Sequence, residues 1–150
     1  MKIVIKKEFD GNLYIGASEN IPGIYVQAHQ EKNISLHYKR ALSLIKKICE
    51  DRSLPFPSGN ESTLFDMRIR FDELSTEKLI KFFEHQKYHL EFIDEDSAIL
   101  MNSSYPFNLV HLPRTNHLSP VLVSKIFGEE NTIYVGSREL KYTTPVSTSA

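Results

Sequence analysis

The feature that most constrains the fold of this chain is a change of hydrophobic period near residue 34. Before that point apolar residues alternate with polar ones, as in Ile24, Val26 and Ala28, which is the pattern of a half-buried strand. From Ile34 to Cys49 they recur every three or four positions, which is the stripe of an amphipathic helix. A switch from a block of strands to a helix predicts an α+β fold.

The first 72 residues are predicted to form one module. Asp10-Gly11 suits a tight hairpin turn between two strands, and a third strand leads into the helix. Two prolines and a glycine within residues 54–59 end that helix, because proline lacks the donor that a helix interior needs. Residues 63–71 then alternate as a fourth strand. The expected order is three strands, one helix and one strand.

A second module is predicted over residues 75–130, joined to the first near Phe71 to Ser75. Ser75 is a good N-cap for a short helix, and Ser119 followed by Pro120 is a second helix start. Between the helices lie three short extended segments, at 89–93, 97–102 and 107–112. Residues 131–150 are expected to add one extended segment, near 133–142, and a loose polar tail.

Composition narrows the class of protein. No apolar run approaches the roughly 20 residues that span a bilayer. The single cysteine, Cys49, can form neither an internal disulfide nor a thiolate cluster for a metal. A cytoplasmic protein without a cofactor is therefore expected. Cys49 is predicted to be a buried core thiol. Residues 1–72 hold eleven Lys and Arg against nine Asp and Glu, and residues 75–130 hold five against eight. Neither module is basic enough for non-specific nucleic-acid binding.

The run from Tyr14 to Ala28, with its Pro22-Gly23 turn, is followed at once by a helix that opens with Glu31-Lys-Asn. This pattern resembles the N-terminal module of HicB-family antitoxins and covers residues 1–72. The resemblance implies a partial ribonuclease-H-like fold with the order βββαβ.

The second module resembles HicA toxins, the usual partners of HicB. The resemblance rests on Val110-His-Leu-Pro113-Arg114, a polar loop, and a Leu-x-Pro sequence at Leu118 before a closing helix. It implies a fold like that of double-stranded-RNA-binding domains, with the order αβββα.

The residue that HicA toxins use for cleavage is missing. Toxins of this kind resemble metal-independent messenger-RNA ribonucleases with a Gly-Ser-His sequence on the second strand, and here those positions hold Glu95, Asp96 and Ser97. A serine with no base beside it in sequence cannot take up a proton near neutrality, and the acidic run including Asp94 would repel a phosphate. Activity and RNA binding are therefore both in doubt.

Other residues of the second module are weaker candidates. His111 is the best substitute acid or base, although a strand-borne histidine that faces solvent is the commoner case. Arg114, with Lys125, could hold a phosphate, or could be a solvated loop arginine. Tyr105 could stack a base, as could Phe107, which more readily packs in the core. His85 and His89 have the spacing of a metal pair but lack a third ligand, so no metal site is predicted.

These observations favour a non-catalytic binding protein related to toxin–antitoxin systems, acting through a protein partner or self-association. An edge strand of the first module could pair across the axis of a homodimer. The alternative is a metal-independent RNA endonuclease inhibited in cis by the first module. No DNA binding is expected, since residues 131–150 are too short and too polar for the DNA-binding segment that some HicB proteins carry.

Overall fold

A computed structural model describes residues 4–18, 23–54, 68–102, 108–128 and 132–140. The described chain is α+β, with three helices and three small sheets. The elements in chain order are β1 (Ile5–Phe9), β2 (Tyr14–Ser18), β3 (Val26–Ala28), α1 (Lys32–Asp51), β4 (Arg68–Phe71), α2 (Thr76–His85), β5 (Tyr88–Ile93), β6 (Ser97–Asn102), β7 (Asn108–Pro113), α3 (Pro120–Phe127), β8 (Thr132–Val135) and β9 (Arg138–Leu140). We call residues 4–54 the N-terminal half and residues 68–140 the C-terminal half.

The N-terminal half is an antiparallel meander, β1-β2-β3, crossed by α1. The predicted hairpin lies between β1 and β2, where the Asp10 side chain accepts the backbone N–H groups of Asn12 and Leu13. The apolar stripe of α1 faces inward through Ile34 and Ile45. No helix among the described residues is long and apolar enough to cross a membrane.

The second meander, β5-β6-β7, is antiparallel and is flanked by α2 and α3. Both predicted N-caps are confirmed: the hydroxyl oxygen of Ser75 accepts the N–H of Lys78, and that of Ser119 accepts the N–H of Leu122. Each bond satisfies one of the first-turn donors that a helix leaves unpaired.

The two meanders meet edge to edge at a single parallel bridge, which we call the β3–β7 bridge. It pairs Ile24, just before β3, with His111 of β7. The His111 N–H donates to the carbonyl of Gly23 over 2.7 Å, and the Tyr25 N–H donates to the carbonyl of His111 over 3.2 Å. The six strands therefore stand side by side in the order β1, β2, β3, β7, β6, β5.

The strand expected at the end of the first module pairs elsewhere. β4 joins β8 in parallel, and β8 continues into β9 through a turn at Gly136, so the segment after residue 130 holds two strands instead of one. The side chains of Ile69 and Phe71 account for this placement, because they pack among the aromatic rings of α2 and α3. Residues 63–67 and 141–150 lie outside the described parts of the chain.

Two hydrophobic cores lie on opposite faces of the six strands. One is covered by α1, and besides residues of β3 and α1 it contains Ile99, Met101 and Leu109 from the C-terminal half. The other contains residues of α2, α3, β4 and β8, and it also takes in Ile15 of β2. Each core therefore draws on both halves, so the halves pack on each other instead of standing apart.

Candidate functional site

A cleft opens where β3 and β7 part beyond the β3–β7 bridge. The two strands run parallel there, and among the described residues no backbone hydrogen bond joins them after the bridge. Crevices outside the carboxyl ends of neighbouring parallel strands are where open α/β sheets usually bind ligands. The cleft has a volume of about 190 Å³, and its lining includes Gln27, His29, His37, Arg40, Asp96, Ser97, His111, Arg114 and Thr115.

Ser97 and His111 form a hydrogen-bonded pair in the wall of this cleft. Register places Ser97 opposite Pro113 and Ile99 opposite His111, so the two side chains are diagonal neighbours on one face of the sheet. The Oγ of Ser97 lies 2.9 Å from Nε2 of His111. Sequence reasoning found no base beside Ser97, because this base comes from the adjacent strand.

The tautomer of His111 follows from its second contact. Its Nδ1 lies 2.9 Å from the carbonyl oxygen of Tyr25, which can only accept, so Nδ1 carries the proton and Nε2 accepts from the Ser97 hydroxyl. His111 is 2% exposed, not solvent-facing, and Ser97 is also 2% exposed. Burial, helped by the nearby charge of Arg40, lowers the pKa of His111 to about 4. The ring is therefore neutral at pH 7.

Arg40 of α1 completes the group, and sequence reasoning missed it. Its Nη1 donates to the Oγ of Ser97 over 2.9 Å, and its Nη2 forms an ion pair with Asp94. Arg40 follows the turn of α1 that holds the buried Tyr38 and directly precedes the buried Ala41. A charged residue at the margin of the apolar stripe was the one sequence feature that could have indicated a role for Arg40.

Asp94 organises the loop that carries this arrangement. Its Oδ1 accepts the backbone N–H groups of Asp96 and Ser97 over 2.9 and 2.8 Å. Although burial opposes ionisation, these bonds and the Arg40 guanidinium hold the pKa of the Asp94 carboxyl below its ordinary value. The Nη1 of Arg114 donates to the backbone carbonyl of Asp94 over 2.8 Å, so both arginines are fixed around this residue.

Lys125, the predicted partner of Arg114 in holding a phosphate, does not join it. Lys125 pairs with Glu8 over 2.9 Å beside Ile15, away from the lining of the cleft. Tyr105 and Phe107 lie outside the described residues.

The other residues considered in the sequence are His85, His89 and Cys49. Nε2 of His89 lies 2.8 Å from Glu91, and His85 is exposed at the end of α2. Within the ranges the structure describes, no three His, Cys, Asp or Glu residues are grouped so that they could hold a metal ion. Cys49 is buried, and burial raises the pKa of its thiol.

The chain matches no protein-family model, no curated protein and no solved structure. Its function must therefore be argued from the cleft itself. The cleft contains a neutral imidazole, a hydroxyl and two guanidinium groups, which can hold an anion or orient a hydroxyl proton.

Proposed function

We propose that the chain is a non-catalytic binding protein related to toxin–antitoxin systems, in which a HicB-like module, residues 1–72, is packed on a HicA-like module, residues 75–130. The element order supports the proposal, since βββαβ precedes αβββα. One strand departs from the expected HicB-like arrangement: β4 pairs with β8 instead of joining the first meander. The partial ribonuclease-H-like and double-stranded-RNA-binding-like folds are part of this proposal.

The burial of Ser97 and His111 under the N-terminal half carries the proposal. Ser97 occupies the position of the toxin histidine, and His111 is the nearest base, yet both are 2% exposed. Their polar atoms are bonded to each other, to Tyr25 and to Arg40. A general base for RNA cleavage needs a pKa near the working pH and direct reach to a substrate hydroxyl, and a buried, doubly bonded imidazole has neither.

Exposed apolar side chains at both edges of the six-stranded array support a role in protein contacts or self-association. Val4, just before β1, and Phe9, its last residue, are 59% and 54% exposed. Leu90 and Ile93 of β5 are also exposed. An edge strand with exposed apolar side chains is a ready template for pairing with another chain.

The geometry also favours a second candidate, an RNA endonuclease inhibited in cis. His111 and Arg40 each lie 2.9 Å from the Oγ of Ser97, so the two side chains stand close together. If the cleft opened, His111 would be placed to take the proton of an RNA 2′-hydroxyl and Arg40 to stabilise the charge on the phosphate. Inhibition would then come from α1, which is held against the C-terminal half by the Arg40–Asp94 pair at the cleft and, away from the cleft, by the Arg52–Glu91 pair just after the helix.

One cleavage assay separates the two candidates. We expect the purified full-length chain to leave a defined single-stranded RNA oligonucleotide intact at neutral pH. We expect the same of the double variant R52A/D94N, which breaks both ion pairs but keeps Arg40. The matched control is His117→Ala, which alters an exposed histidine near the cleft. Cleavage by either protein that is lost on His111→Ala, but kept on His117→Ala, would replace the binding proposal with the enzyme.

A further inference from the structure

We infer that the cleft between β3 and β7 binds a phosphate monoester group through Arg40 and Arg114. This inference goes beyond the proposed function and does not depend on it, because it concerns a small-ligand site that neither half would form alone. Arg40 comes from the N-terminal half and Arg114 from the C-terminal half, and both line the cleft.

Arg114 offers a positive charge that no carboxylate neutralises in the described structure. It directly follows β7, its side chain is exposed, and its Nη1 is held by a carbonyl, that of Asp94. A guanidinium fixed by a carbonyl keeps its net charge and has further N–H donors for a ligand. Because the side chain is already held in place, it loses less conformational entropy when a ligand binds.

Arg40 is prepared in a similar way. Two of its five N–H groups hold Ser97 and Asp94, and its side chain is 40% exposed, which leaves other donors at the cleft. The Asp94 carboxylate already accepts two backbone N–H groups besides Arg40. Asp94 therefore holds Arg40 in position. Its own side chain is not among those that line the cleft.

The arrangement favours phosphate over a carboxylate ligand. A carboxylate is planar and is matched by one guanidinium fork, whereas a phosphate monoester has three terminal oxygens that can accept from two guanidiniums arriving from different elements. Asp96, exposed among the lining residues, is the one acidic side chain there among those the structure describes. Because Asp94 balances the charge of Arg40, the attraction for a phosphate comes from the charge of Arg114, which Asp96 partly offsets, and from the remaining N–H donors of both arginines. A volume of about 190 Å³ holds roughly six waters at liquid density, so a phosphate with part of its attached group fits.

A titration followed by amide NMR tests the inference. Inorganic phosphate, uridine 5′-monophosphate and uridine are added separately to the full-length protein. We expect both phosphates, but not uridine, to give saturable shifts of residues that line the cleft. Arg114→Ala should weaken binding by about tenfold or more, since a hydrogen bond to a charged group contributes that much. Arg40→Ala should have a similar effect.

The matched control is Arg52→Ala. Arg52 directly follows the last residue of α1 and, like Arg40, pairs with a carboxylate of the C-terminal half, that of Glu91, but it does not line the cleft. Its removal should leave phosphate affinity unchanged. Tighter binding of the nucleotide than of free phosphate would show that the cleft also contacts the group attached to the phosphate, and equal affinity would show that it recognises the phosphate group alone.

Equal affinity of wild type and Arg114→Ala, or shifts with uridine as large as with its monophosphate, would overturn the inference. Arg114 is exposed, so its substitution should preserve the fold, which the amide spectrum reports directly. A negative result would leave the cleavage assay, and thus the proposed function, untouched.

Discussion

His111 joins the two halves through both its backbone and its ring. Its backbone forms the β3–β7 bridge, and its ring links Ser97 to the carbonyl of Tyr25. A buried imidazole with both nitrogens occupied is stable only while neutral, because protonation would place a charge out of water and turn Nε2 from an acceptor into a donor.

The first prediction concerns acid stability. The pKa of His111 is about 4 in the folded chain and near its ordinary 6.5 when unfolded, so between those values the unfolded chain binds a proton that the folded chain does not. The contribution of His111 is fully present above about pH 6.5, and about 3 kcal/mol is lost as the pH falls to about 4. Urea unfolding at a series of pH values measures it.

Other groups titrate in the same range, so the comparison is with His111→Gln. Glutamine cannot titrate, and the difference in unfolding free energy between wild type and variant should shrink as the pH falls from about 6.5 to about 4. A difference that stays constant over that window would show that the pKa of His111 is not lowered by folding.

At the scale of elements, the contact between β3 and β7 depends on a glycine. Gly23 has φ +91°, and a Cβ at this position would lie 2.1 Å from the backbone oxygen of Leu109. Because that neighbour is a main-chain atom, the two strands would have to move apart. This would break the hydrogen bond from the His111 N–H to the Gly23 carbonyl.

The second prediction compares two glycines with similar backbone angles. Gly11 has φ +101° and open space around its Cβ position. Gly11→Ala should therefore cost only the backbone strain, about 1–2 kcal/mol, whereas Gly23→Ala should cost at least about 3 kcal/mol, because overpacking adds to the strain. Chemical denaturation of the two variants gives both values, and equal losses would contradict the close approach at Gly23.

The sequence located most of the elements, although it predicted one strand where β8 and β9 lie, and it was insufficient for some of their partners. Periodicity located α1, and cap chemistry located the starts of α2 and α3 at Ser75 and Ser119, because these signals are local. The pairing of β4 with β8 depends on which apolar face fits a core built from distant segments. The Ser97–His111 contact depends on strand register, and its closure by Arg40 depends on how a helix crosses the sheet. No local pattern encodes either.

At the scale of the whole molecule, the shared cores make the two halves one structural unit. Without α1, the side chains of Ile99, Met101 and Leu109 would face water, and without β6 and β7 the stripe of α1 would be partly uncovered.

The third prediction is a single cooperative unfolding transition of the full chain. Differential scanning calorimetry should give equal calorimetric and van't Hoff enthalpies, and far-ultraviolet circular dichroism should melt at the same temperature as near-ultraviolet signals from the tyrosines. Two resolved transitions, one for each half, would show that the cores do not couple them.

The β3–β7 bridge also bears on how the chain is made. The Tyr25 carbonyl and the His111 ring are 86 positions apart, so the contact raises the contact order and delays folding until that long loop has closed. On the ribosome, α1 emerges well before residue 111, and its apolar stripe stays partly uncovered during that interval. Nascent chains of this protein should therefore depend on chaperones until β7 has been synthesised.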